Sequence, residues 1–336
     1  MASKGQAPLV TVIMPIRNEE SFIERSLGAV LTQNYPPDRI QVLVADGMSD
    51  DRTREIVARL AADHPDTEVE VVDNPGRIVP TGFNAALDRT KGDIVVRVDG
   101  HTIIEPDYVT ECVAALAETG ADNVGGRMDA VADAPMGQAI ALATSSPFGV
   151  GNSAFHYASG QRWVDSVYMG AWPREVFDRV GRFDPEMVRN QDDEFNYRLS
   201  ASGGRILLTD RIRSRYYNRP SLKKLFSQYR QYGYWKVRVL QKHPGQMSAR
   251  QFAPPALVVA LAGGAVLAPF SRPVRIVWAG VVVLYVGANL AASLIVARRN
   301  GMKHMSRLPV VFGALHIGYG AGFLAGLVRF RNRWRG

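Results

Sequence analysis

No acidic residue follows Pro254, although 32 Asp and Glu occur before it. The same tail holds ten basic residues: Arg272, Arg275, Arg298, Arg299, Lys303, Arg307, Arg329, Arg331, Arg333 and Arg335. It also holds three uncharged stretches, residues 251–271, 276–297 and 308–328. About 20 helical residues cross a bilayer core of roughly 30 Å. These lengths, with charges confined between the stretches, predict about three membrane helices. Three buried helices of a soluble protein are the alternative, and soluble helices rarely run this far without a charge. The third stretch carries Gly318, Gly322 and Gly326, two overlapping GxxxG spacings suited to close helix packing in lipid. The first, with Pro254, Pro255, Gly263, Gly264 and Pro269, also suits a re-entrant or interfacial piece.

The net charge of +8 is therefore no nucleic-acid signal. Before Pro254 the basic and acidic residues nearly cancel, which leaves no gross basic surface for a polyanion. The basic part is the apolar part, which points to anionic headgroups. A single cysteine, Cys112, excludes an intramolecular disulfide framework and a cysteine-based zinc site. The polar stretch 1–8 is not a secretory signal.

The first 130 residues alternate short apolar runs with helical patterns. Strands are expected at 9–14, 41–45, 69–72 and 93–98, and helices at 19–33, 51–62 and 80–90. This alternation predicts βαβ units and a mostly parallel sheet. Residues 129–164 read as irregular, 169–181 and 191–202 as helices, and 205–208 as a strand. Residues 220–241 read as a long basic, aromatic helix.

Ligands bind parallel sheets at the carboxyl ends of strands. Polar clusters follow three of the predicted strands: Pro15-Ile-Arg-Asn18-Glu19, Asp46-Gly-Met-Ser49-Asp50 and Asp99-Gly-His101. Helix capping is the competing explanation for Asn18 and Asp50, and a weaker one for Asp99 and His101, which open no obvious helix. A carboxylate and an imidazole two residues apart on a turn can share a divalent cation, and Gly100 permits close backbone approach.

These pieces, with Gly76 and Asn84, Gly170-Ala-Trp172, Gly181-Arg-Phe183-Asp184 and Gln191-Asp192-Asp193-Glu194, run in order over about 200 residues. The chain resembles a family-2 glycosyltransferase of the inverting GT-A type. Together with its apolar tail, it resembles the membrane glycosyltransferases of succinoglycan-type exopolysaccharide assembly. The resemblance implies a Rossmann-like α/β GT-A domain over residues 1–220. An interfacial helical region at 221–250 and a membrane domain at 251–336 follow.

The resemblance also assigns roles. Pro15, Asn18 and Glu19 would surround a uridine, with Asp46 accepting a hydrogen bond from the base and with Ser49 and Asn84 in matching motifs. Asp99 and His101 occupy the metal-binding DxD position for Mg²⁺ or Mn²⁺, with His in a place more often held by Asp. Asp192 is the expected general base and Asp193 its rival, because helix neighbours point about 100° apart. A solvated helix N-terminus is the bland reading of this acidic run. Processive members carry Gln-x-x-Arg-Trp. Here Gln231-Tyr-Gly-Tyr234-Trp235 lacks the Arg, which argues against processive polymerisation. Arg230 and Trp235 are nonetheless expected at donor or lipid phosphate, or at headgroup depth.

The expected activity is inverting transfer of a hexose from a UDP-sugar to a membrane-held saccharide linked to polyprenyl diphosphate. The expected location is the inner (cytoplasmic) membrane, multi-pass, with the catalytic domain facing the cytoplasm and glycan-assembly proteins as further partners. A polyprenyl-phosphate acceptor, an inactive nucleotide-sugar-binding scaffold and a nucleotidyltransferase are the alternatives. The last lacks a glycine-rich pyrophosphate loop. Three crossings would leave Arg329–Arg335 outside, against the positive-inside tendency, and a re-entrant first segment would leave Arg298–Arg307 outside instead. Nearly equal lengths favour three crossings.

Overall fold

The computed structural model describes residues 6–151, 153–157, 159–217 and 221–334. In chain order its elements are β1 (Val10–Ile16), α1 (Ile23–Leu31), β2 (Ile40–Asp46), α2 (Thr53–Asp63), β3 (Glu68–Asp73), α3 (Val79–Leu87), β4 (Ile94–Arg97), β5 (Thr102–Ile104), α4 (Tyr108–Thr119), β6 (Asn123–Val131), α5 (Pro135–Thr144), α6 (Pro147–Val150), β7 (Arg162–Val164), β8 (Tyr168–Pro173), α7 (Glu175–Val180), α8 (Gln191–Ala201), β9 (Ile206–Tyr217), α9 (Leu222–Lys242), α10 (Ala253–Leu267), α11 (Arg272–Asn300) and α12 (Leu308–Arg329). Two compact units result, residues 1–129 with 153–217, and residues 130–152 with 218–336. Segment 130–152 thus groups with the C-terminal helices, whereas a division at residue 220 had assigned it to the catalytic domain.

The first unit is a GT-A-like α/β domain built on a nine-stranded sheet of order β3-β2-β1-β4-β8-β6-β9-β5, with β7 beside β9. β3, β2, β1 and β4 are parallel, as the βα alternation requires. Strand side chains alternate between faces. Val10, Val12, Met14 and Ile16 pack with Ile23, Leu27, Val109 and Cys112. Ile13, Leu43 and Val95 pack with Phe83, Trp172, Phe183 and Phe195. Helices on both faces bury these strands fully, which explains their unbroken apolar runs. The register sets Ile16 beside Asp46, so the carboxyl ends of β1 and β2 finish together.

Two predicted segments differ. Residues 169–181 are not one helix: β8 pairs antiparallel with β4 and β6, and only Glu175–Val180 is helical. Met169 and Gly170 have φ of +59° and +119°, outside the helical region. Sheet pairing overrides the helical spacing here. Residues 129–164 are not irregular throughout either. Pro135 opens α5, where its missing N–H goes unneeded. Ala139, Ile140 and Ala143 then bury themselves with Leu308, Val311 and Phe312.

In the second unit three helices, Ala249–Leu267 (which includes α10), α11 and α12, are each long and apolar enough to cross a membrane. The glycine stripe of α12 faces α9. A β-carbon at Gly322 would collide with the Arg230 carbonyl, one at Gly326 would lie 2.6 Å from the Tyr234 carbonyl oxygen, and one at Gly318 would lie 3.0 Å from that of Phe226. α9 and α12 therefore run in the same direction, backbone against backbone, in four-residue register. Gly320 meets Pro254 and Val258 of α10. The Asn289 amide donates to the Pro309 carbonyl at 3.0 Å, so this polar side chain of α11 is satisfied inside an apolar setting.

Gly322→Ala should destabilise the detergent-solubilised protein by about 1–3 kcal/mol, the usual range for overpacking. Gly280→Ala, where an added methyl meets nothing within 4 Å, should be neutral or slightly stabilising. Thermal unfolding of the two variants side by side tests the α9–α12 contact.

Candidate active site

The loops after β1 and β2 are tied to each other. Asp46, the buried last residue of β2, accepts hydrogen bonds from the Ser49 amide at 3.0 Å and the Ser49 hydroxyl at 2.5 Å. Arg54 from α2 pairs with Asp46 at 2.5 Å and with Asp73 at 2.6 Å. Ser49 Oγ accepts from the Asn18 amide at 2.8 Å. The Asn18 side chain exchanges two hydrogen bonds with Asp50, donating at 2.7 Å and accepting from the backbone at 3.1 Å. Asn18 has φ +53°, a conformation asparagine tolerates better than most residues. The Glu19 amide donates to Thr53 Oγ1 at 2.8 Å.

A second set gathers after β4. Arg97, 3% exposed, donates from Nε to Asp99 Oδ1 at 2.8 Å and from Nη1 to Asp192 Oδ1. Burial opposes its charge, but the Asp192 and Asp99 carboxylates outweigh that and hold the guanidinium ionised. The half-buried Tyr168 hydroxyl donates to Asp99 Oδ2 at 3.2 Å and shares a 2.6 Å bond with Thr102. Burial and the Asp99 charge both keep the Tyr168 phenol protonated. Asp192 sits in the first turn of α8, which begins after Asn190 at φ +62°. Desolvation pushes the Asp192 carboxyl up to about 6, the Arg97 charge opposes this, and Asp99 and Asp193 add to it. His101 Nδ1 lies 3.0 Å from Glu19 Oε1, and its ring stands edge-on to Tyr216 at 5.4 Å. Gly100 is held close: a β-carbon there would lie 2.8 Å from Ile16 and 3.0 Å from Glu19.

Asn18, Glu19, Asp46 and Ser49 thus stand around one pair of joined loops, with Pro15 in β1 leading into it. Asp99, His101 and Glu19 are linked to that pair through the His101–Glu19 contact, and Asp192 is joined to Asp99 through Arg97. Asn84 is engaged elsewhere: its amide donates to the Phe183 carbonyl at 2.7 Å and accepts from the Phe183 N–H at 3.1 Å. Arg230 and Trp235 lie on α9 of the second unit, where Trp235 packs against Phe330 at 5.7 Å. Arg97 and Tyr168 were not singled out from the sequence. A lone cation inside the apolar run Ile94-Val-Val-Arg97-Val98, two residues before an aspartate, was the available signal for the first.

Among the described residues no group of three or more His, Cys, Asp or Glu side chains could hold a metal ion. Mg²⁺ commonly takes only one or two protein ligands and completes its shell with substrate phosphates and water. Asp99 and His101 offer one carboxylate and one imidazole: Asp99 Oδ1 is bonded to Arg97 and Oδ2 to Tyr168, and His101 Nδ1 faces Glu19, as a metal-binding histidine commonly faces a carboxylate.

Removing Arg97 would leave two carboxylates without their shared cation. Arg97→Met should lower stability by about 3 kcal/mol, as for other broken buried pairs. Adding Asp192→Asn should recover part of that loss. Denaturant unfolding of the single and double variants reads the coupling.

A family model described as glycosyl transferase family 2 matches residues 11–164. The succinoglycan biosynthesis protein ExoA of Rhizobium meliloti (strain 1021) is 33% identical over 327 residues, 96% of this chain and 96% of that protein. The dolichyl N-acetyl-alpha-D-glucosaminyl phosphate 3-beta-D-2,3-diacetamido-2,3-dideoxy-beta-D-glucuronosyltransferase of Methanococcus voltae is 26% identical over 239 residues, 69% of this chain and 74% of the relative. Among solved structures, the mannosyltransferase PcManGT of Pyrobaculum calidifontis, in complex with GDP-Man and Mn²⁺, shares the fold. Its TM-score is 0.63 at 22% identity, over 94% of this chain and 88% of that one.

Proposed function

The chain belongs to glycosyl transferase family 2, and from that premise we propose that it transfers one hexose, with inversion, from a UDP-sugar to a lipid-linked saccharide. The observation that carries this reading is the Asp99–Arg97–Asp192 bridge. It holds a donor-side carboxylate and a prospective base on one buried cation. The tied loops around Asn18, Glu19, Asp46 and Ser49 form the nucleoside side of the donor site. Asp46 is already engaged by Ser49 and Arg54, so it would meet the base as part of an ordered loop. A Mg²⁺ or Mn²⁺ ion on Asp99 and His101 would neutralise charge on the departing diphosphate. PcManGT, a fold neighbour crystallised with GDP-Man and Mn²⁺, is consistent with such an ion.

Asp192 takes the acceptor hydroxyl proton as that oxygen attacks the anomeric carbon. A general base works best with a pKa near the operating pH, and desolvation raises this carboxyl to about 6. Arg97 steers one carboxylate oxygen, leaving the other for the acceptor. The relatives favour an acceptor in exopolysaccharide or lipid-linked glycan assembly. One is named for succinoglycan biosynthesis, and the other for a sugar carried on dolichyl phosphate. The latter favours a saccharide already linked to a polyprenyl carrier. The setting proposed is the inner membrane with the catalytic domain cytoplasmic, beside other glycan-assembly proteins.

Asp192→Asn should lower turnover by about 10²–10⁴-fold, the usual contribution of a general base, and leave UDP-sugar affinity unchanged. Asp193→Asn is the paired control. Radiolabel transfer into a lipid acceptor fraction, with donor binding measured separately, tests both. Loss of donor binding in Asp192→Asn would remove the residue from this role.

The base acts only when ionised, so turnover should rise with pH through about 6 and level off above it. Because the Arg97 charge lowers the Asp192 pKa, Arg97→Met should move that rise to higher pH. A pH series of initial rates on both proteins measures the shift.

A further inference from the structure

We propose that Tyr168 is a positioning residue for Asp99: its hydroxyl, itself oriented by Thr102, fixes the carboxylate through the oxygen that Arg97 does not hold. The proposal rests on the reading of Asp99 and His101 as the protein ligands of a divalent ion. A carboxylate only accepts hydrogen bonds, and its two oxygens offer about four lone-pair sites. Arg97 Nε takes one on Oδ1 at 2.8 Å, and the Tyr168 hydroxyl takes one on Oδ2 at 3.2 Å. Each oxygen keeps a lone pair, so both bonds can persist beside an ion.

The directions of these bonds follow from proton count. The phenol has one hydrogen, and it goes to Asp99. In the 2.6 Å bond between Tyr168 and Thr102 the donor is therefore Thr102 Oγ1. Donation runs from Thr102 through Tyr168 to Asp99, which fixes the phenol hydroxyl in one orientation. Thr102 is fully buried, and its backbone N–H donates to the Asp99 carbonyl at 3.0 Å. The far end of the chain is thus anchored on the same turn that carries Asp99.

The backbone of β8 is bent in a way that permits this contact. Successive side chains of a strand point to opposite faces, yet Tyr168 and Met169 both reach Asp99. The Met169 sulfur lies 3.4 Å from the Asp99 amide nitrogen. Met169 has φ +59° and Gly170 φ +119°, and the register of β8 against β6 shifts beside them. A side-chain-bearing residue in the left-handed region persists only where its surroundings hold it, and an irregular register re-aims side chains. The phenol ring is then clamped, with Phe155 stacked at 6.2 Å and Tyr216 edge-on at 6.0 Å. Tyr216 also stands edge-on to His101, so the Tyr168–Tyr216 pair is bonded to one prospective ligand and packed on the other. A phenylalanine would satisfy the ring contacts. The hydroxyl adds only the link from Thr102 to Asp99, which separates positioning from packing.

The test is Mn²⁺ binding to the full chain in detergent with UDP present, read from the paramagnetic resonance signal of free Mn²⁺, so that no transfer is needed. Tyr168→Phe should weaken binding by about 10–100-fold, the usual effect of losing a group that orients a metal ligand. Thr102→Val should weaken it in the same direction, and Thr102→Ser, which keeps the donor, should not. In turnover assays of Tyr168→Phe, the Mn²⁺ concentration for half-maximal rate should rise with the binding loss, while kcat at saturating Mn²⁺ falls far less. Unchanged Mn²⁺ affinity in Tyr168→Phe, with binding abolished by Asp99→Asn, would overturn the positioning role and leave the ion site standing. Unchanged binding in Asp99→Asn would remove the ion site itself and the proposal with it. Should Tyr168→Phe fail to fold, equal Mn²⁺ binding by Thr102→Val and Thr102→Ser would overturn the proposal.

Discussion

Arg97 is the interaction on which the site depends. A guanidinium this deeply buried is tolerable only when paired and hydrogen-bonded, and it has two carboxylate partners, Asp99 and Asp192. Those partners come from distant parts of the chain, one just after β4 and one in the first turn of α8. The fork geometry of arginine lets one side chain bind both at once, which the point charge of a lysine would do poorly. Removing the cation therefore disturbs Asp99 and Asp192 together.

The parallel half of the sheet was legible because β1, β2 and β4 are buried on both faces and read as apolar runs ending in polar residues, while the more exposed edge strand β3 alternates Glu with Val. Asn18, Glu19, Asp46 and Asp99 were found through those endings. The same logic concealed Arg97, which lies inside a run, where a charge reads as an exception and not as a site. β8 was misread because Met169 to Gly181 has helical spacing, while its fate is set by β4 and β6, strands distant in sequence. Strand propensity is largely a statement about neighbours, and no local pattern carries that information. The Asn84 side chain likewise sits in a family motif, yet its hydrogen bonds go to Phe183, 99 residues away.

The glycines of α12 show the same ambiguity in a different form. Small residues four apart mark a face where another helix comes close, in lipid or in water, and the sequence does not say which helix. Gly318, Gly322 and Gly326 receive α9, a helix with six cations. An apolar helix is thus committed to a basic partner. Hydropathy scored along α12 alone registers its composition and misses that commitment.

Order in the loops after β1 and β2 rests on comparable shared contacts. Asp46 is fully buried and accepts from Ser49 twice and from Arg54 once. Ser49 in turn accepts from Asn18, whose side chain clasps Asp50. Each loop is fixed by groups on the other. The restraint extends to the turn after β4, since Gly100 packs against Ile16 and Glu19 and Glu19 contacts His101. The loops after β1, β2 and β4 are therefore held in one hydrogen-bonded frame, and a substitution at Glu19 would be felt on both sides of it.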